Sequence, residues 1–245
     1  MKHNIAELKE RFYSLLVQLD RDYNLSDNFY DCDEDAEEFD CMWREREDAC
    51  DDLRIWTATG ATKFVIGTDD CDYIIKFQLF DSFDYCAREV ETYNAAKARG
   101  LEDKFAWCDK LFDFTFSCQG DERTVPVYVM EWCQCGYDMI SDDSCEYRYR
   151  KYISSHALAD CPESRDKFYD SDDYYGGRQE ILEWACDVWG TPYGEAGSAA
   201  ILNFLRDMRV NDLHAGNWGW CDNRLVLTDY SGYGEDLLAR NIDYL

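Results

Sequence analysis

Near the end of the chain, Val210-Asn211-Asp212-Leu213-His214-Ala215-Gly216-Asn217 sets an Asp and an Asn with four residues between them. Twelve residues beyond Asn217, the run Thr228-Asp229-Tyr230-Ser231-Gly232 supplies a second Asp. A polar loop followed by a short β-hairpin would return that second carboxylate to the Asn. Carboxylate and amide oxygens are the donors that a hard cation such as Mg²⁺ accepts. The earlier Asp is placed to orient an attacking hydroxyl or accept its proton. These residue types suit phosphoryl transfer, where positioning and charge neutralisation supply nearly all of the catalysis.

Lys76 is the next residue that could do chemistry. It interrupts the apolar run Tyr73-Ile74-Ile75-Lys76-Phe77-Gln78-Leu79, and a buried ammonium requires a counter-charge. The following segment, Asp81 to Arg99, reads as a helix and offers Glu89 and Glu91. A lysine held by a helix glutamate could keep nucleotide phosphates in register. The plainer alternative is a strand-edge lysine whose ammonium reaches water. Upstream, the turn Thr59-Gly60-Ala61-Thr62 could offer backbone N–H groups and hydroxyls to a phosphate, although with one glycine it also reads as an ordinary hairpin turn.

The elements that must carry these residues follow from periodicity. Ile5, Leu8, Phe12, Leu15, Leu16 and Leu19 recur at helical steps, predicting an amphipathic helix that docks on a neighbour. Residues 27–52 hold thirteen Asp or Glu against two Arg, interleaved with Phe29, Tyr30, Phe39, Met42 and Trp43. A solvated acidic helix packed through its aromatics is the favoured reading, and a partner-binding arm the functional alternative. Residues 53–80 predict short antiparallel strands broken by Gly and Asp turns. Two more strands are expected at Leu111–Phe116 and Val125–Trp132, joined by the polar Gln119-Gly120-Asp121-Glu122. Beyond residue 133 alternation gives way to helical periods, best from Ala199 to Met208, while Ser164 to Gly177 reads as a polar loop. The expected fold class is therefore α+β. Its divisions are an acidic helical extension (1–52), a five-stranded antiparallel lobe with one inserted helix (53–132) and a mostly helical lobe (133–245).

With 245 residues, 46% of them hydrophobic and 16% aromatic, the chain can bury a substantial core. No run of about 18 apolar residues predicts a membrane helix, and the first residues lack the apolar region of a signal peptide. The thirteen cysteines are scattered; Cys133-x-Cys135 has no second pair or His at zinc spacing, so reduced thiols in a cytoplasmic protein are expected. A net charge of −27 opposes direct binding to nucleic-acid phosphates and favours cationic partners. Mimicry of DNA by the acidic face is a further reading of the same charge.

Taken in order, these features are a glycine-containing hairpin, a strand Lys, a helix Glu, an apolar strand ending Met130-Glu131-Trp132, a D-x-x-x-x-N loop and a returning Asp. That order resembles the protein-kinase-like fold over about residues 53–235. Asp212-Leu213-His214-Ala215-Gly216-Asn217 is similar to the D-L-H-x-G-N loop of aminoglycoside and choline phosphotransferases. The chain also resembles the minimal serine/threonine protein kinases of tailed bacteriophages. The resemblance implies two lobes, ATP and Mg²⁺ as cofactors, and a phosphoryl acceptor bearing an alcohol. It implies that Lys76 contacts the α/β-phosphates and pairs with Glu89, Glu91 being the reserve. Asp212 would be the catalytic base, and Asn217 and Asp229 the metal ligands. His214 stands where eukaryotic kinases place a Lys that steadies the γ-phosphate. Thr59, Gly60, Ala61 and Thr62 would cover the phosphates, while backbone groups of Glu131 and Cys133 would hold the adenine with Met130 behind it.

The pattern departs from the family at Val210, where a His is usual, and at Asp229-Tyr230-Ser231, where Asp-Phe-Gly is usual. Sixteen residues follow Asp229, so no activation segment is expected. The acidic surface favours a basic protein substrate over a small alcohol, in host cytoplasm if the chain is phage-encoded. The alternatives are a small-molecule kinase, transfer of AMP, and a non-catalytic acidic interaction protein, either a pseudokinase or a nucleic-acid mimic, that binds a host factor with residues 27–52 as its arm.

Overall fold

Alternation in the first half and helical periods in the second do build the architecture of the computed structural model, an α+β fold whose main sheet has five antiparallel strands. The structure describes residues 4–23, 47–59, 63–78, 84–118, 121–134, 137–171, 178–190, 195–210 and 213–231. The chain divides into two compact units, one comprising residues 1–93 and 107–132, the other 94–106 and 133–245. Residues 94–106 thus group with the second unit, although the sequence alone assigned them to the strand-rich part.

In the first unit, helix α1 (Ile5–Tyr23) and the short α2 (Glu47–Leu53) precede β1 (Ile55–Thr59), β2 (Lys63–Thr68) and β3 (Tyr73–Gln78). Helix α3 (Tyr85–Ala98) is inserted before β4 (Cys108–Cys118) and β5 (Asp121–Glu131). The sheet order is β1-β2-β3-β5-β4, every pair antiparallel. Since side chains alternate between faces, register sorts them. Phe64 lies opposite Phe77, and Ile66 opposite Ile75, while Val127 and Val129 continue the row. This face buries Leu8, Phe12, Leu16 and Leu19 of α1, together with Leu111, Phe114 and Phe116 of β4. The spacing of those four α1 residues is the helical stripe read from the sequence. Arg11 of α1 is tied to Asp70 and, at 2.9 Å, to Thr68 Oγ1. Of the acidic stretch 27–52, residues 47–52 lie in α2; the remainder lies outside the described residues.

The second unit holds α4 (Tyr137–Ser155), α5 (Pro162–Tyr169), α6 (Arg178–Val188), α7 (Glu195–Asp207) and a hairpin of β6 (Trp218–Cys221) and β7 (Arg224–Leu227). Helix α5 corrects the expectation of a loop over Ser164 to Tyr169; of the rest of that stretch, residues 172–177 lie outside the described residues. Pro162 occupies the first turn, where its missing N–H costs nothing. Ser164 and Phe168, four residues apart, are buried, and the Phe168 ring lies 5.7 Å from that of Tyr149 and 5.5 Å from that of Tyr152. Two buried contacts outweigh a polar composition. No helix among the described residues is long and apolar enough to cross a membrane.

Candidate functional site

In the first unit, the face of the sheet opposite α1 carries the polar residues. Lys63 lies opposite Gln78, Val65 opposite Lys76 and Gly67 opposite Ile74; Tyr128 and Met130 of β5 continue the row beside Lys76 and Ile74. Helix α3 places Glu89 on this face, with 1% of its surface exposed. Its Oε1 accepts from Lys63 Nζ at 2.8 Å, and Lys76 Nζ lies 3.5 Å from both of its oxygens. Both lysines are buried. The Lys76–Glu89 pair read from the sequence is therefore present, and Lys76 does not reach water. Glu91, the reserve, is exposed and pairs with Arg88 at 3.0 Å.

The helix that delivers Glu89 is itself fixed at its start. Asp84 Oδ1 accepts from Ala87 N–H at 2.9 Å, capping the first turn, and Asp84 Oδ2 accepts from the Tyr128 hydroxyl at 2.5 Å. Burial pushes the Tyr128 hydroxyl pKa up, and the adjacent Asp84 carboxylate adds to it. Cys86, one turn before Glu89, is fully buried, and its thiol is pushed well above its ordinary value by desolvation and then by Glu89. It is held as a neutral thiol, unsuited to attack or to ligation. Gly67 admits the Trp56 indole to the same face: a Cβ there would stand 2.2 Å from Trp56 Cζ2.

Met130, expected behind a base, is buried on the Lys76 face. The Glu131 N–H donates to the Trp107 carbonyl at 2.9 Å, and its carboxylate accepts from Trp107 N–H at 2.9 Å. Any contact from the Glu131 backbone to a base must therefore use its carbonyl. Thr59 ends β1. Gly60, Ala61 and Thr62 lie outside the described residues.

In the second unit, the loop around Asn217 is held by its apolar neighbours. Val210 and Leu213 are fully buried; Val210 N–H donates to the Leu205 carbonyl at 2.8 Å, closing α7 after Arg209 takes a positive φ of 55°. Trp218, also fully buried, donates from Nε1 to the Leu213 carbonyl at 3.2 Å. His214 is exposed, and its Nδ1 accepts from Gly216 N–H at 3.0 Å, which leaves the proton of the neutral ring on Nε2. Asn211 and Asp212, the latter the expected base, lie outside the described residues.

Hairpin β6–β7 turns at Asp222 and Asn223, both with positive φ, the conformation these residues tolerate best in a two-residue turn. Trp218 lies opposite Leu227, and Thr228 N–H donates to the Asn217 carbonyl at 2.8 Å. The returning strand thus bonds Thr228, the residue before Asp229, to the backbone of Asn217. Ser231 Oγ donates to Asp229 Oδ1 at 3.2 Å. Tyr230 anchors the segment: it is fully buried, its hydroxyl donates to the Ala106 carbonyl at 2.6 Å, and its ring meets Phe105 edge-on at 5.1 Å.

An amide and a carboxylate are donors that suit Mg²⁺, which usually takes one or two carboxylates and completes its shell with water and phosphate. Among the described residues no group of three or more His, Cys, Asp and Glu could hold a metal ion. Cys133 is buried against Gly219, where an added Cβ would stand 2.7 Å from Cys133 Cβ. Sequence reasoning missed Lys63, Asp84 and Tyr128. A lysine that opens a strand ordinarily projects to solvent, and only the register shows that Lys63 shares the face of Lys76. A scan against models of known protein families gives no match, and no curated protein matches the chain.

Proposed function

We propose that the chain is an ATP- and Mg²⁺-dependent phosphotransferase of the two-lobed protein-kinase-like class, acting on a Ser or Thr hydroxyl of a basic protein. The observation that supports it most is the buried Lys76–Glu89 pair, joining the third strand of a five-stranded antiparallel sheet to the helix inserted after it. An ion pair of that kind is costly to bury, and fixing a cation for nucleotide phosphates gives it a purpose.

In this reading Lys76 contacts the α/β-phosphates under the turn Thr59-Gly60-Ala61-Thr62. Met130, the Glu131 carbonyl and the Cys133 backbone hold the base. Asn217 and Asp229 would hold Mg²⁺, whose chemical contribution is to neutralise charge on the β- and γ-phosphates. Asp212 accepts the proton of the attacking hydroxyl as its oxygen bonds to the γ-phosphorus and the bond to the β–γ bridging oxygen breaks. The Nε2–H of His214 is the donor for a γ-phosphate oxygen. A net charge of −27 draws basic acceptors, and the cytoplasm, that of a host cell for a phage-encoded chain, is the compartment that supplies them with ATP.

The experiment is incubation with Mg²⁺ and γ-labelled ATP, with and without a basic protein acceptor, beside Asp229→Ala. Label on protein that disappears in the variant supports the proposal. Absence of both labelling and ATP-dependent thermal stabilisation refutes it and leaves the acidic segment 27–52, as a binding arm, to carry the function.

A further inference from the structure

Lys76 shares its glutamate with a second lysine. Both Nζ atoms lie within 3.5 Å of the single oxygen Glu89 Oε1, and the closer is Lys63, at 2.8 Å. We propose that Lys63 is a second phosphate-contacting cation, so that Lys63 and Lys76 together clamp the polyphosphate of a nucleoside triphosphate; this rests on the phosphotransferase reading.

Three features carry the assignment. First, the two ammonium groups already converge on one anionic oxygen, which is the geometry a non-bridging phosphate oxygen requires of a two-cation clamp. Second, each lysine is 6% exposed, and cations removed from water attract an anion more strongly than solvated ones do. Third, Lys63 opens β2 on the same face of the sheet as Lys76.

The unequal distances give the two lysines different parts. Lys63 holds the short, charge-assisted bond of the length typical for N⁺–H···O⁻, and so fixes the Glu89 carboxylate. Lys76, at 3.5 Å from both oxygens, is placed to exchange a long contact for a shorter one to phosphate. Lys63 then contacts the nucleotide at its phosphates and contributes nothing to recognition of the base.

The test uses the wild-type chain and an acyl-phosphate derivative of ATP, which transfers its acyl group to lysine amines beside the phosphates, followed by peptide mapping. Acylation of Lys63 as well as Lys76, blocked at both by excess MgATP, is the expected result. ATP-blocked acylation of Lys76 without Lys63 overturns the proposal and leaves the phosphotransferase reading standing. No ATP-blocked acylation and no stabilisation by MgATP overturns both. Calorimetric titration adds a second measure. Lys63→Met should weaken MgATP binding about tenfold or more with adenosine binding unchanged, and Lys63→Arg should restore most of it. A folded Lys63→Met that binds MgATP as the wild type does would overturn the clamp alone.

Discussion

Glu89→Ala is the perturbation that most directly tests the cluster. The substitution removes the carboxylate on which Lys63 and Lys76 converge, and with Glu89 1% exposed water cannot readily take its place. Removing one partner of a buried ion pair costs about 3–5 kcal/mol, a large share of the roughly 5–15 kcal/mol that stabilises a typical protein. Glu89→Gln keeps the shape and one acceptor oxygen and should cost less, about 1–3 kcal/mol. The triple replacement Lys63→Met, Lys76→Met, Glu89→Met should return close to wild-type stability, because exchanging a whole buried ion cluster for apolar side chains is often neutral or stabilising by about 1–4 kcal/mol. Urea unfolding followed by far-ultraviolet circular dichroism measures all three, with the midpoint read at constant slope. A Glu89→Ala variant within about 0.5 kcal/mol of wild type, the range of ordinary surface substitutions, would refute the argument that these charges are desolvated and mutually dependent.

Two other expectations concern the anchors of the site. Tyr230→Phe deletes the hydroxyl that donates to the Ala106 carbonyl and leaves that carbonyl without its donor. The cost should be about 1–3 kcal/mol by urea unfolding, with phosphoryl transfer lowered more than nucleotide binding, since Asp229 is the adjacent residue. Stability should also be sensitive to alkali. Cys86 and Tyr128 are both held neutral, with folded pKa values raised above the ordinary 9.0 and 10.0. A raised folded pKa contributes stability that is complete below the unfolded value and is lost as pH rises toward the folded one. Urea midpoints should therefore be level up to about pH 8 and fall above it. Cys86→Ala should remove the earlier part of that decline; an unchanged profile in the variant would refute the assignment.

Strong local patterns were legible. The α1 stripe, the short strands around Asp and Gly turns, and the hairpin between Asn217 and Asp229 all declare themselves in periodicity or turn chemistry. Lys76 stood out because a charge in the middle of an apolar strand needs an explanation. Lys63 did not, because its significance depends on strand register, which pairs Val65 with Lys76 and so brings Lys63 to the same face. Glu89 could be told from Glu91 only by the rotation of α3 against the sheet. Helix α5 was hidden by its composition: its acidic and aromatic residues read as loop, and its two buried positions acquire meaning only beside Tyr149 and Tyr152. In each case the missing information was a tertiary neighbour.

The docking of α1 has a consequence for the sheet beneath it. The Tyr23 hydroxyl donates to Asp52 Oδ2 at 3.3 Å, while Tyr23, Cys50 and Leu53 all pack against the same core as Leu16 and Leu19. The end of α1 and the short α2 are therefore moored at one spot on the sheet. Helix α1 is retained there by its apolar contacts and by Arg11, so it braces the sheet, and with it the lysines on the far side, through side chains rather than through peptide continuity.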